Sequence, residues 1–290
     1  MPTVDVLIPT YRRQTGLAVV LTSLLGQTYS DFDVVIADQT EGCSPLESAE
    51  IQTLIRALRW RGHHVSLHAH RRRNGLAEQR HFLLEQSRAQ YVHFLDDDVL
   101  LDPPVLSRML GVLKSEGCGF VGCAATGLEY LHDVRPQQQN IEMWEGPVHP
   151  EPFNPSALPW ERHLVNNAAN PLHLEQRLEL GEVVRYKVVW VGGANVLYDG
   201  EKLRSIGGFS WWDRLPREHA GEEVVAQFLL IRKYGGCGIL PSGTYHLGLP
   251  TNVPDRQRNA IDLFGELIEE FDAYPTRPVK RAVAEAMQRK

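Results

Sequence analysis

The sequence predicts an α/β protein with a Rossmann-like, mostly parallel sheet flanked by helices. Three observations carry this. Apolar runs of strand length alternate with stretches of helical period over the first 125 residues. That alternation describes successive βαβ units, whose crossovers are right-handed and whose strands lie parallel. The 290 residues, 43% hydrophobic and 23% charged, suffice for one or two domains with a sizeable core.

Residues 4–8 read as a buried strand stopped by Pro9, which cannot donate to a ladder. Residues 17–25 read as a helix with Leu17, Val20, Leu21, Leu24 and Leu25 along one stripe. Strands are expected over 33–37, 65–69, 91–95 and 120–124, with helices over 46–58, 76–87 and 103–114 between them. From 127 to 185 the periodicity lapses into a proline-rich, polar stretch, and pattern-free segments of that length are usually functional. A strand over 186–191 follows, then helices over 199–205, 222–233 and 256–271 and a short basic amphipathic helix over 279–290. The expected division is 1–125, 126–250 and a helical tail, 251–290.

Composition excludes several classes. Thirty Lys+Arg against 36 Asp+Glu leave a net charge of −6, without the basic footprint of a nucleic-acid binder. No apolar run approaches the ~18 residues of a membrane span. The N-terminus enters a strand pattern without the basic region of a signal peptide. Cys43, Cys118, Cys123 and Cys237 form no CxxC pair, which fits reduced thiols and a cytoplasmic location. Gly117 to Gly122 matches GxGxxG but precedes a strand, so it is not a dinucleotide fingerprint.

In open α/β sheets ligands collect beyond the carboxyl ends of the strands. There this sequence places Pro9-Thr10-Tyr11-Arg12-Arg13, Asp38-Gln39-Thr40, Arg71-Arg72-Arg73-Asn74-Gly75 and Asp96-Asp97-Asp98. An aromatic, several cations and an acidic triplet on one rim suit a nucleoside diphosphate with a divalent metal. Three adjacent carboxylates repel one another unless a cation or solvent relieves them, and hard oxygen ligands suit Mg²⁺ or Mn²⁺. In an extended chain Asp96 and Asp98 would point one way and Asp97 the other. A solvated turn leading into the next helix is the competing reading.

Ile8-Pro9-Thr10-Tyr11, Val35-Ile36-Ala37-Asp38, Asn74-Gly75-Leu76-Ala77, Phe94-Leu95-Asp96-Asp97-Asp98, Gly207-Gly208-Phe209 and Gly221-Glu222-Glu223 fall in order and in register. Together they resemble a family 2 glycosyltransferase of GT-A fold over about residues 3–247. The resemblance implies inverting transfer from a nucleoside-diphosphate sugar, commonly UDP-linked, to a glycan, lipid-linked or small-molecule hydroxyl. It gives Pro9, Thr10 and Tyr11 to the donor nucleoside, Asp38 to the uracil N–H, and Asn74 and Arg80 to the base and diphosphate. His81 stands where the family usually has Asn. Asp96 and Asp98 match the metal-binding acids, with His246 resembling an additional ligand, and Gly193 falls beside the acceptor pocket. Glu223 matches the general base, with Glu222 as its alternative, although acids in a first turn also simply complement the helix dipole.

Arg13 could add a cation for phosphates, with a solvated charged face as the plain alternative. Asp97, Gly193 and Trp212 would shape the donor-sugar pocket, Trp211 and Trp212 could wall a sugar ring, and Asp213 could bond acceptor hydroxyls. Core packing is the plain alternative for the tryptophans. Lys280-Arg281 and Arg289-Lys290 could touch an anionic membrane surface peripherally. A sugar nucleotidyltransferase or hydrolase, and a non-catalytic sugar-nucleotide binder, are the other classes consistent with the rim. The glycine- and lysine-rich loop of a nucleotidyltransferase is missing after the first strand.

Overall fold

The computed structural model describes residues 2–153, 158–251 and 259–273. Its elements alternate as expected through β1 (Val4–Thr10), α1 (Gln14–Leu25), β2 (Phe32–Asp38), α2 (Ala49–Trp60), β3 (Val65–Ala69), α3 (Leu76–Gln86) and β4 (Tyr91–Leu95). There follow β5 (Val99–Leu101), α4 (Val105–Glu116), β6 (Phe120–Gly122), β7 (Thr126–Gly127), α5 (Asn170–Glu175) and β8 (Val184–Tyr186). The chain closes with β9 (Asn195–Asp199), α6 (Gly200–Ser205), α7 (Glu222–Tyr234), β10 (Cys237–Leu240), β11 (Thr244–His246) and α8 (Phe264–Ala273). The tail over 279–290, with its basic pairs, lies outside the described residues. Among the described residues, no helix is long and apolar enough to cross a membrane.

The main sheet runs β3-β2-β1-β4-β9-β6-β10-β8. Antiparallel pairing is confined to β9, between β4 and β6, and to β8 at the edge. The mostly parallel α/β architecture therefore stands. All seven residues of β1 and all five of β4 are buried, as a sheet covered on both faces requires. β1 continues through Pro9 to Thr10 because its ladder with β4 ends at Leu7↔Phe94, short of the proline. Two apolar layers cover the faces: Leu17, Val20, Leu21, Ile51, Ile55, Leu106 and Met109 on one, Leu83, Leu84, Phe209, Trp211, Val225 and Phe228 on the other.

The expected strand over 186–191 is corrected to β8, which ends at Tyr186. Val188, Val189 and Val191 are buried all the same. At Val191 the backbone bonds go to one side chain: Gln227 on α7 accepts from its N–H at 2.7 Å and donates to its carbonyl at 2.9 Å. An amide side chain here replaces a neighbouring strand, which a hydrophobic pattern does not announce.

β9 matters most for the site. It runs against β4, pairing Leu95 with Asn195, so the residues just before it arrive at the carboxyl end of β4. Asp96 N–H donates to the Ala194 carbonyl at 2.9 Å. A second sheet, β5-β11-β7, does the same for the C-terminal part: His246 pairs with Val99, and Leu247 N–H donates to the Asp98 carbonyl at 2.9 Å.

Candidate active site

A cavity of about 460 Å³ opens at this rim. Its walls include Pro9, Thr10, Tyr11 and Arg13 after β1, Arg80 on α3, and Asp96, Asp97 and Asp98 after β4. Gly193, Glu222, Glu223 and His246 complete it from the second half of the chain.

The acidic triplet does not remain extended. The chain turns after β4, and the three carboxylates divide among Thr10, Arg13, His246 and Arg80. Asp97 accepts from the Thr10 hydroxyl at 2.7 Å and from Arg13 Nη1 at 3.2 Å. Asp98 pairs with the same Arg13 nitrogen and with His246 Nε2 at 3.4 Å. Asp96 meets Arg80 Nη2 at 3.1 Å. The expected alternation, with Asp96 and Asp98 together and Asp97 opposed, is thus corrected: Asp97 and Asp98 share Arg13, and Asp96 faces α3. Burial, offset by Arg80 but reinforced by Asp98 and Asp97, pushes the Asp96 carboxyl up to about 7. Burial also raises Asp97, to about 6, despite its bond from Thr10. Asp98 moves the other way, because His246 and Arg13 outweigh its burial.

Arg80 is 1% exposed. Burial disfavours its charge, but Asp96, Glu222 and Glu223 raise its pKa beyond the ordinary arginine value. Its Nε lies 3.3 Å from Glu222, its Nη2 donates to the Gly193 carbonyl at 3.2 Å, and its Nη1 has no hydrogen-bond partner among the described residues. Gly193 leaves room for the two side chains beside it. A Cβ there would stand 2.8 Å from Arg80 Nη2 and 3.0 Å from Glu223 Cγ.

Glu222 and Glu223 open α7. Gly221 before them has φ +81°, and a Cβ on it would lie 2.2 Å from Asn259 Oδ1. Glu222 is 2% exposed and faces Arg80, whereas Glu223 is half-buried on the cavity wall. Both carboxyls are raised by burial, and Glu223 further by the charge of Glu222. A raised carboxylate beside a cavity suits general-base work.

The other expected residues fall elsewhere. Asp38 is buried at the end of β2, where it accepts from Thr40 N–H at 2.8 Å and from the Ser44 hydroxyl, and its neighbour Gln39 lines the cavity in its place. Asn74 is exposed and off the wall, while Arg73 beside it stacks over the Tyr11 ring at 4.1 Å. Trp211 is 1% exposed in the core next to Phe209. Trp212 lines a separate cleft with His70, Arg72 and Phe82, and Asp213 is exposed on the 3-10 turn Ser210–Arg214. Gln79, Arg217, Glu218, His219 and Leu249 also stand on the wall, although no motif marks them in the sequence. Of these only the run just before Gly221-Glu222-Glu223 carried a positional hint.

A divalent cation has carboxylates to meet here. Among the described residues no three of His, Cys, Asp or Glu converge as a ready-made ligand set. Two carboxylates suffice, however, when substrate phosphates complete the shell, and the raised pKa of Asp96 marks charge that a cation would relieve. His246 is committed differently. Its Nδ1 accepts from Gly248 N–H at 3.0 Å, so Nε2 carries the proton that faces Asp98.

The model for Glycosyl transferase family 2 matches residues 5–165, more than half of the chain. No curated protein matches the chain by sequence. Among solved structures, S. aureus TarS aligns with a TM-score of 0.53 and 15% identity over 84% of this chain and 36% of that one. TarS 1–349 in complex with UDP-GlcNAc aligns at 0.54 and 13% identity, over 93% of this chain and 66% of that one. Its complex with UDP gives 0.50 and 14%, over 84% and 59%. This chain therefore spans about a third of TarS, and the likeness is one of fold. With the family match covering more than half its length and this architecture beneath it, the protein belongs to glycosyl transferase family 2 and has the GT-A fold.

Proposed function

We propose that the protein transfers a sugar, with inversion, from a UDP-linked donor to an acceptor hydroxyl on a glycan, a lipid-linked carrier or a small molecule. The observation that carries this is the convergence of Glu223, Arg80 and the acids Asp96 and Asp98 on one cavity. The UDP and UDP-GlcNAc complexes of TarS support the choice of nucleotide.

Residues 1–125 supply the donor walls: Pro9, Thr10 and Tyr11 at the nucleoside, and Arg13 and Arg80 at the diphosphate. Arg80 Nη1, buried and without a hydrogen-bond partner among the described residues, is the donor best placed for a phosphate oxygen. Residues 126–250 supply Gly193 beside the acceptor and Glu223 as the base that takes the proton of the attacking hydroxyl. Asp38 sits behind the nucleoside wall and shapes the 38–44 turn. Asp96 and Asp98 would hold Mn²⁺ or Mg²⁺, which as a Lewis acid would stabilise charge on the leaving diphosphate. His246 orients Asp98, and would ligate through Nε2 only after releasing Gly248 N–H.

Isothermal titration with UDP, with Mn²⁺ and with excess chelator, tests the donor and the ion together. Metal-dependent UDP binding by the wild type and its loss in Asp98→Ala is the expected pair. Equal UDP binding by both proteins in chelator would remove the metal from the reading. Transfer activity in the wild type that is absent in Glu223→Gln separates an enzyme from a binder.

A further inference from the structure

His219 lies in the loop between the 3-10 turn Ser210–Arg214 and α7, and is 2% exposed. Both of its ring nitrogens are spoken for. Nδ1 lies 2.8 Å from the Pro216 carbonyl, which can only accept, so Nδ1 carries the proton. Nε2 is then a lone pair, and it accepts from Ala77 N–H at 3.2 Å, across 142 residues. Burial keeps the ring below the ordinary histidine pKa, which favours this neutral form.

Ala77 is the second residue of α3, where backbone N–H groups have no partner inside the helix. The bond therefore satisfies a helix terminus and joins two elements at once. Gly75 reflects the same closeness: its φ is +98°, and a Cβ on it would stand 2.3 Å from His219 Cε1 and 2.6 Å from the Arg217 carbonyl. One turn further along α3, Arg80 meets Asp96, Glu222 and the Gly193 carbonyl. From the other side, Ala260 N–H donates to the Ala220 carbonyl at 2.8 Å. The segment that leads into Glu222 and Glu223 is thus held from two sides, at His219 by α3 and at Ala220 by Ala260.

We propose that His219 is a positioning residue, whose Nε2 bond from Ala77 N–H fixes the 217–221 loop against the start of α3 and so sets where Glu223 stands over the cavity. The inference rests on the reading of Glu223 as the base, and His219 itself touches no reacting atom.

The two nitrogens can be separated by substitution. His219→Gln keeps an acceptor near the Nε2 position, whereas His219→Asn keeps only the local bond to Pro216. Amide hydrogen exchange on peptides covering 76–80 and 217–223, read alongside UDP titration in Mn²⁺ and UDP release from UDP-GlcNAc, distinguishes them. His219→Asn is expected to speed exchange in both peptides and to lower kcat roughly 10- to 100-fold with an unchanged Kd for UDP, because small misplacements of a catalytic group are that costly. His219→Gln should stay near wild type in all three measurements. Gly75→Ala, which pushes on the same ring, should follow the asparagine variant. Unchanged exchange in His219→Asn overturns the clamp. Faster exchange with unaltered kcat, or kcat and UDP affinity falling together, overturns the positioning role. Should the wild type neither bind UDP nor release it, the donor reading fails, while the exchange data still decide whether the clamp exists.

Discussion

In the first turn of α7, Glu222 turns inward to Arg80 while Glu223 opens on the cavity, its carboxyl raised by burial and by the neighbouring glutamate. A base must be ionised to accept a proton, so activity should climb with pH along a limb above the ordinary glutamate value of about 4.3. Glu223→Gln should lose about 10²- to 10⁴-fold in kcat, keep its UDP affinity, and show no such limb in its residual rate. A limb at or below pH 4.3 in the wild type, or one that survives in the variant, would take the base role from Glu223. Gly193→Ala forces a methyl between Arg80 and Glu223, each within about 3 Å, and should lower kcat while the fold persists. Melting of Gly193→Ala well below the wild type would instead mark a folding role for the glycine. Residue identity was readable wherever a strand end fixed the place: Thr10, Asp96 and Asp98 came out on the wall. Trp211 and Asp213 did not. They sit on a 3-10 turn, whose facing no period of 2 or 3.6 residues foretells.

At the scale of elements, β9 slots between β4 and β6, and its pairing carries a buried polar link. His93 on β4 lies 2.5 Å from Asn195 Oδ1, and Asn195 Nδ2 donates to the Thr244 hydroxyl at 2.8 Å, so the main sheet is tied to β11. His93 is fully buried, and burial pulls its pKa down to about 4 from an ordinary 6.5. The sign follows from which state binds the proton. Unfolded chains take it up near pH 6.5 and the folded chain only near 4, so this stability is complete above 6.5 and drains away as pH falls through that window. Between pH 7 and pH 5 the loss amounts to about 2 kcal/mol. Denaturant unfolding of wild type and His93→Gln at both values should show the wild type losing that much more, and parallel losses would show that His93 does not titrate so. The element order through β4 was legible because each unit alternates an apolar strand with a striped helix. β9 was hidden for a physical reason: its apolar run Val196-Leu197-Tyr198 is only three residues long and leads directly into α6, where Asp199 caps Lys202 N–H at 3.0 Å. The short strands β5, β7 and β11 lack the length for any pattern at all.

For the molecule as a whole, the cavity joins parts of the chain that meet nowhere else in sequence. Thr10 and Asp97 come from the first hundred residues, Gly193 and Glu223 from beyond the irregular middle, and Arg13 Nη2 reaches the Pro250 carbonyl at 2.7 Å. A donor bound there would engage the folded chain alone, since unfolding scatters every wall. Mass action then adds about 2.7 kcal/mol when UDP with Mn²⁺ stands at one hundred times its dissociation constant, and for a chain of this size that is roughly 5 °C in melting temperature. Chelator should abolish the increment in the wild type. In Asp98→Ala the increment should be small with or without Mn²⁺, although removing one of two acids that share Arg13 leaves that guanidinium with Asp97 and should spare the fold. Differential scanning fluorimetry over a UDP series reads both effects in one experiment. A full shift that persists in chelator, or in Asp98→Ala, would mean that the nucleotide is held without a cation at the acids, and that Arg13 and Arg80 neutralise the diphosphate by themselves.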